Sequence, residues 1–185
     1  MILPQSIWFG ILLIFFLILI NGFFAGSEIA VVSSRRSRMD QLAREGKSGA
    51  SIVSKWLKEP ETFLAVTQIM VTLAGALASA LSGVIAVEHL KPAIERWPLF
   101  SRWAEPVSIV LVVVAMTYLT LIFGELVPKC LGLSYRERIA ILVSLPINWI
   151  AKAARPMVLF LTQSTRMILF LLGLKGVSKD LFVSE

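Results

Sequence analysis

Cysteine and histidine are almost absent from this chain of 185 residues, with Cys130 and His89 as the single examples. One cysteine excludes an intrachain disulfide and any cluster built from several thiolates. One histidine cannot supply the pair of imidazoles that soft-metal sites use. We therefore expect Cys130 to be a buried packing residue and His89 to be an exposed loop residue, and neither is a candidate ligand.

Charged residues are scarce as well. They make up 16% of the chain, whereas 57% of the residues are hydrophobic and the mean hydropathy is +0.80. This composition is typical of a membrane protein. The net charge of +6 lies on short flanks of apolar runs, which indicates membrane orientation and not nucleic-acid binding. The sequence also contains no nucleophile–base motif and no glycine-rich phosphate loop, so we do not expect an enzyme.

Three apolar stretches are long enough to cross a membrane as helices. They run from Ile2 to Val32, from Thr62 to Val87 and from Pro106 towards Lys129. The first ends in a small, polar segment, Asn21 to Glu28, whose glycines predict either a helix break or the close approach of another helix. In the second stretch, Gly75, Ser79 and Gly83 form a small-residue ladder, which is typical of a packing or dimer interface.

Basic residues give the orientation. Seven Lys and Arg lie between Ser34 and Glu61, and eight lie from Lys129 onward. By the positive-inside rule both regions are cytoplasmic, so the N-terminus is outside and the C-terminus inside. Residues 37–58 predict two short helices on the membrane surface, broken at Gly46 and Gly49. Because runs of charged residues mostly form a solvated surface, we expect these two helices to be a connector without a binding role.

The remaining segments are predicted to be shorter elements. Glu88 to Glu105 is an outer loop, Ile139 to Ala151 is a re-entrant or interfacial hairpin around Pro146, and Met157–Leu174 is an interfacial helix on the inner leaflet. Residues 176–185 are polar and suggest the start of a linker.

Glu125 is the most informative residue, because a charge at membrane depth usually has a function or a partner. Pro128 has no N–H and cannot bond the carbonyl four residues back, that of Gly124. A carboxylate beside a freed carbonyl is the ligand combination that hard cations prefer. Further polar groups predicted to face this region are Ser27, Glu28, Gln68, Thr72, Thr117 and Thr120. Two alternatives stay open: Glu125 could pair with Lys129 at i+4, and Glu28 with an arginine of residues 35–38.

Three motifs carry a family resemblance. They are NGFFAGSE at 21–28, FLAVTQ at 63–68 and GELVPK at 124–129. Together they resemble the DUF21 transmembrane domain of the CorC/CNNM family, also called hemolysin-like, of magnesium transporters, and the resemblance covers nearly the whole chain. It implies a homodimer with three transmembrane helices per chain and a juxtamembrane helical belt. It also implies Mg²⁺ export driven by Na⁺ entry, and a cytosolic CBS-domain pair that would follow Glu185.

The resemblance also assigns roles to residues. Glu125 matches the ion-binding acid of the family, Gly124 and Pro128 match the kink that exposes a carbonyl, and Ser27 matches the serine of the first motif. Two positions depart from the family pattern. Ala25 replaces a common serine, and Thr72 lies where many members have a Gly-Asn pair, so it would supply a weaker oxygen.

The sequence therefore predicts an all-α membrane protein with three transmembrane helices, kinked in spans 1 and 3, plus juxtamembrane and interfacial helices, forming a homodimer. Residues 1–175 would be the membrane domain and 176–185 a linker. The expected function is Mg²⁺ transport across the plasma membrane, with Mg²⁺ held by Ser27, Thr72, Gly124 and Glu125. The alternative is a membrane anchor and ion sensor for a CBS domain, and a lytic pore is a weaker third.

Overall fold

The computed structural model describes residues 4–98 and 101–171, which are helical and contain no strand. In chain order the α-helices are α1 (Pro4–Val32), α2 (Arg36–Arg44), α3 (Ser48–Lys58), α4 (Pro60–Ile85), α5 (Lys91–Glu95), α6 (Ala104–Leu119), α7 (Val127–Ser134) and α8 (Arg136–Leu171). Within the described ranges, three helical stretches are long and apolar enough to cross a membrane: Ile7–Val32, Pro60–Glu95 and Ser101–Ser134. The all-α class with three candidate spans is thus confirmed.

The first stretch is continuous. Helix α1 runs through Asn21, Gly22 and Gly26 without a break, because its long apolar sequence contains no proline beyond the first residue. Of the two alternatives for this segment, close helix approach is the one that the structure contains. The third stretch does depart from regular geometry, since a π-helical segment, Thr120–Leu126, joins α6 to α7.

The region predicted as an outer loop is largely helical, which corrects that expectation. Helix α4 continues through a π-helical segment, Ala86–Leu90, into α5. Lys91 Nζ and Glu105 Oε2 are 2.6 Å apart and connect α5 to the start of α6. His89 lies on the π-helical segment and is half-buried. It is therefore not the exposed loop residue that the sequence suggested.

The chain divides into two units. The first comprises Met1–Gly26 and Met70–Cys130, and the second comprises Ser27–Ile69 and Leu131–Glu185. Cys130, the last residue of the first unit, is exposed, which corrects the prediction of a buried thiol. Residues 172–185, including the predicted linker at 176–185, lie outside the described ranges.

In the second unit, α2 and α3 form the predicted pair of short helices. Gly46, with φ of +87°, makes the turn between them, a conformation that glycine adopts without the steric cost of a Cβ. The apolar side of the pair is buried at Met39, Leu42 and Val53. Trp56 of α3 stacks on Phe63 of α4 with ring centroids 4.7 Å apart. The apolar pattern of residues 37–58 thus predicted the helical pair and its turn at Gly46. Gly49 is instead buried inside α3, which corrects the second predicted break.

Helix α8 overturns the prediction of a hairpin followed by a separate helix. Arg136–Leu171 is one helix that includes Pro146 and Pro156. Each proline removes one backbone hydrogen bond. Around Pro146, burial of one face of α8, at Ala140, Val143, Ser144 and Ile147, supplies compensating packing. Helix α3 packs on this face closely: a Cβ on Gly49 would lie 2.7 Å from Ser144 Oγ.

Candidate functional site

The π-helical segment around Glu125 changes which residue faces the polar side of the helix. In a regular α-helix, Thr117 and Thr120 share a face with Gly124. In the structure, Val127 N–H donates to the carbonyl of Ile122, five residues back. This wider turn inserts one residue into the helical repeat. As a result Glu125, five residues after Thr120, lies on the same face as the two threonines.

A cavity of about 300 Å³ lies beside this face in the first unit, between α4 and α6 with the π-helical segment. Glu125 borders it together with Thr117 and Thr120, the two threonines that the sequence predicted to face this region. Helix α4 contributes Ser82 and also Ser79, which belongs to the small-residue ladder of the second apolar stretch. The other lining residues are Ala78, Gly83, Ala86, Ile109, Val112, Val113, Met116 and Leu121.

Two hydroxyl groups of this cavity use their donors within their own helices. Thr117 Oγ1 donates to the carbonyl of Val113 at 2.8 Å, and Ser82 Oγ donates to the carbonyl of Ala78 at 2.6 Å. A hydroxyl has one donor and two acceptor lone pairs. Because the donors are used within the helices, these oxygens can present lone pairs to the cavity. Oxygen lone pairs with one carboxylate are suited to a hard cation.

Gly124 is buried and is not among the described residues that line the cavity. Its carbonyl accepts a hydrogen bond from Asn21 Nδ2 at 3.0 Å, so the prediction of an unsatisfied oxygen is corrected. Asn21 is only 3% exposed, and a buried amide requires a partner. A carbonyl has two lone pairs, so one remains after this bond. The sequence indicated a helix break or close helix approach at Asn21 and its neighbouring glycines, and a polar amide in an apolar helix was the signal for this bond.

The first and third motifs fit each other through glycine. A Cβ added at Gly22 would lie 2.6 Å from the Phe123 carbonyl oxygen and 2.8 Å from Pro128 Cγ. A Cβ on Gly26 would lie 2.9 Å from the Pro128 carbonyl oxygen. Because Gly22 and Gly26 have no Cβ, α1 lies directly against the turn that contains Pro128 and Glu125. Pro128 lacks the N–H that would bond a carbonyl of the preceding turn.

Glu125 also forms the ion pair that was left open as an alternative. Lys129 Nζ is 3.3 Å from Glu125 Oε2. The two side chains are 43% and 39% exposed, respectively, in the chain alone, and such a half-exposed pair contributes little to stability. Lys129 is not among the described residues that line the cavity. The pair and a cation site are therefore geometrically compatible.

The other predicted ligands are distributed over both units. Thr72, in the first unit, is exposed and is not among the described residues of the cavity lining. In the second unit Ser27 is buried, Glu28 is half-buried and Gln68 is exposed. Their assignment as ion ligands stays a prediction. Across the described residues, no group of three His, Cys, Asp or Glu side chains is placed to share a metal, so a cation here would depend on hydroxyl, carbonyl and water oxygens.

The alternative partner for Glu28 is not found. Arg36 lies 4.0 Å from Asp40, and Arg38 lies 3.7 Å from Glu137. Within the part of the chain that the structure describes, Glu28 makes no ion pair with this arginine cluster. The arginines instead hold α2 internally and connect it to α8.

Comparison with known proteins places the chain in a family. Residues 12–185 match the model of the cyclin M transmembrane N-terminal domain, CNNM. The chain is 40% identical to the UPF0053 protein sll0260 of Synechocystis sp. over 92% of its own length, and 35% identical to the UPF0053 protein YrkA of Bacillus subtilis over 88%. It is 26% identical to the UPF0053 inner membrane protein YfjD of Escherichia coli over 84% of its length. It spans 38%, 38% and 33% of these relatives, respectively. The chain is a membrane domain of the CNNM family.

Proposed function

We propose that this domain transports Mg²⁺ across the plasma membrane and that the ion passes through the cavity bordered by Glu125. The observation that carries the proposal is the convergence of one carboxylate and several hydroxyl oxygens on a cavity between helices that are apolar enough to cross a membrane. An ionisable residue in such a helix commonly marks an ion pathway. The family resemblance, which assigns the ion-binding role to Glu125, supports the same residue.

The size of the cavity suits an ion that keeps part of its water. Mg²⁺ takes six oxygens at about 2.0–2.1 Å and releases water reluctantly. Six water molecules occupy on the order of 180 Å³, at the liquid share of about 30 Å³ each. The cavity of about 300 Å³ therefore has room for a partly hydrated ion. With Glu125 as the single carboxylate among the described lining residues, binding would be modest, as turnover requires.

A second copy of the chain would complete the transporter. Gly75 and Gly83 have open space where a Cβ would lie, and Ser79 is exposed. This small-residue face of α4 is therefore available in the described chain for close helix packing. Because Ser79 and Gly83 also line the cavity, dimerisation along this face would enclose the ion path. We include the homodimer in the proposal on this ground.

The charge distribution and the relatives support the proposed membrane orientation, the cellular location and the coupling of transport to Na⁺. The basic segments after the first and third spans favour an outer N-terminus and a cytoplasmic C-terminus. The Escherichia coli relative is named an inner membrane protein, which supports the plasma membrane. The family resemblance supports export driven by Na⁺ entry and a cytosolic CBS-domain pair. The longer chains of the relatives have room for such a pair.

The second candidate is an ion-sensing anchor without transport of its own. The observation that favours it is Thr72, which replaces a Gly-Asn pair of the family pattern and does not line the cavity among the described residues. A site with fewer ligands could still report ion occupancy to a cytosolic domain. The two candidates differ in flux: a sensor binds Mg²⁺ without moving it.

The test is Mg²⁺ flux in liposomes containing the purified chain, together with thermal stabilisation by Mg²⁺ in detergent. Glu125→Gln should abolish the stabilisation and reduce flux at least tenfold. The matched control, Glu88→Gln, changes an exposed acid of the same unit and should leave both unchanged. Lys129→Gln distinguishes an ion-binding role of Glu125 from a structural one. If Glu125 acted only through its ion pair with Lys129, Lys129→Gln and Glu125→Gln would show the same defect. Undiminished flux in Glu125→Gln would refute the transport site, and stabilisation without flux in the parent chain would favour the sensor.

A further inference from the structure

Helices α2 and α3 of the second unit border an open basic cleft of about 530 Å³. Three cations line it: Arg44 in the last turn of α2, and Lys55 and Lys58 in the last turn of α3. The remaining lining residues are Asp40, Ala43, Ser51 and Ser54. The charge run by itself predicts a solvated connector, but the turn at Gly46 brings cations from two helices to one concave surface.

The cleft has a defined shape because its two walls are joined. Ser54 Oγ of α3 donates a hydrogen bond to the Asp40 carboxylate of α2. Beneath the cleft, Met39, Leu42 and Val53 are buried between the helices and the rest of the unit. The three cations are thus held on a rigid helical pair, which lowers the conformational entropy that ligand binding would cost.

The single carboxylate of the cleft is already satisfied. Asp40 accepts the Ser54 hydroxyl and lies 4.0 Å from Arg36. The Ser54 hydrogen bond, with the charges of Lys58, Arg36 and Arg44, lowers the pKa of Asp40 below its ordinary value against a smaller opposing effect of burial. In contrast, Arg44, Lys55 and Lys58 form no ion pair within 4.0 Å among the described residues. The cleft therefore has an excess of unpaired positive charge.

The chain connections place this cleft near a membrane surface. Helix α2 begins four residues after α1 ends at Val32, and α4 begins at Pro60, two residues after α3 ends. Both α1 and α4 belong to stretches that are apolar enough to cross a membrane. Because both ends of the pair are tied to such helices, the pair lies within a few residues of the ends of two candidate membrane spans. Clusters of Lys and Arg beside a membrane helix attract anionic lipids.

We propose that this cleft binds the phosphate group of an anionic phospholipid headgroup. Arg44 offers a planar guanidinium fork that matches two phosphate oxygens, and the two lysines offer compact charges. The occupant is a membrane lipid and not a soluble phosphate, since the short connections to α1 and α4 hold the cleft next to the bilayer. Lipid binding would fix the α2–α3 pair at the membrane surface.

The experiment uses the purified 185-residue chain in a neutral detergent and fluorescently labelled phosphatidylglycerol as the probe, followed by fluorescence anisotropy. Unlabelled phosphatidylglycerol should displace the probe, whereas phosphatidylcholine and glycerol 1-phosphate at the same concentration should not. Each of Arg44→Gln, Lys55→Gln and Lys58→Gln should weaken binding about fivefold, which corresponds to about 1 kcal/mol.

The matched control is the triple variant Arg35→Gln, Lys47→Gln and Lys152→Gln, which removes three exposed charges of the same unit from outside the cleft. It should bind nearly as the parent does, whereas the triple cleft variant should lose most of its binding. Equal loss in both would show diffuse attraction and overturn the proposal, and equal competition by glycerol 1-phosphate would overturn the assignment to a lipid. The double variant Lys55→Arg and Lys58→Arg keeps the charge, so it should retain binding; failure of this rescue would also contradict the proposal.

Discussion

Substitution of Gly22 by alanine tests the packing that holds the Glu125 turn. The new Cβ would lie 2.6 Å from the Phe123 carbonyl oxygen and 2.8 Å from Pro128 Cγ, whereas ordinary van der Waals contact requires at least about 3.5 Å. The first obstacle is backbone, so it cannot be relieved by a side-chain rotamer change. Helix α1 and the π-helical segment would have to separate by several tenths of an ångström or more.

The expected loss of stability follows from two opposing terms. Overpacking of this kind costs typically about 1–3 kcal/mol, and the better helix propensity of alanine returns up to about 1 kcal/mol. We expect a net loss of about 1–2 kcal/mol. The assay is thermal unfolding of the purified chain in detergent, followed by circular dichroism.

The control is Gly10→Ala in the same helix and the same unit. There a Cβ would meet Ile85 Cδ1 at 3.1 Å, and the tip of a flexible side chain can move. We expect Gly10→Ala to be neutral or slightly stabilising. If Gly22→Ala unfolds at the same temperature as Gly10→Ala, α1 does not approach Phe123 and Pro128 this closely and does not support the Glu125 turn.

Two further predictions concern single polar contacts. Asn21→Leu removes the hydrogen bond to Gly124 and should destabilise the chain by roughly 0.6–1.7 kcal/mol, the average and maximum for hydrogen bonds between membrane helices. The same unfolding assay checks this loss, with Gln68→Leu at an exposed position as the control. An Asn21→Leu variant as stable as the parent would contradict the role of Asn21. Ser54→Ala removes the main cause of the lowered Asp40 pKa. A folded-state pKa that is lowered stabilises the fold at pH values above the unfolded pKa of about 3.8. That contribution is lost as the pH falls through the folded pKa. The difference in unfolding temperature between Ser54→Ala and the parent should therefore be present at pH 7 and decline below about pH 4. A difference that does not change with pH would show that the bond acts only through packing.

Part of this architecture could be predicted from local sequence alone. The three membrane stretches follow from runs of apolar residues whose length matches a bilayer, and the α2–α3 pair follows from its apolar spacing and from Gly46. The common face of Thr117 and Thr120 follows from helical periodicity. These features depend on neighbours a few residues apart, so one sequence contains the necessary information.

Other features depended on contacts between distant residues. The bond from Asn21 to Gly124 joins positions 103 residues apart, and helical periodicity gives no distance between them. The π-helical segment, which moves Glu125 onto the threonine face, arises where Pro128 removes a donor and α1 packs against the turn. Helix α8 stays continuous through Pro146 where its buried face packs in the second unit, which compensates for the lost hydrogen bond. The sequence by itself thus determined which segments are helical and apolar, and the tertiary structure decided which oxygens meet at the cavity, since that choice depends on which helices touch.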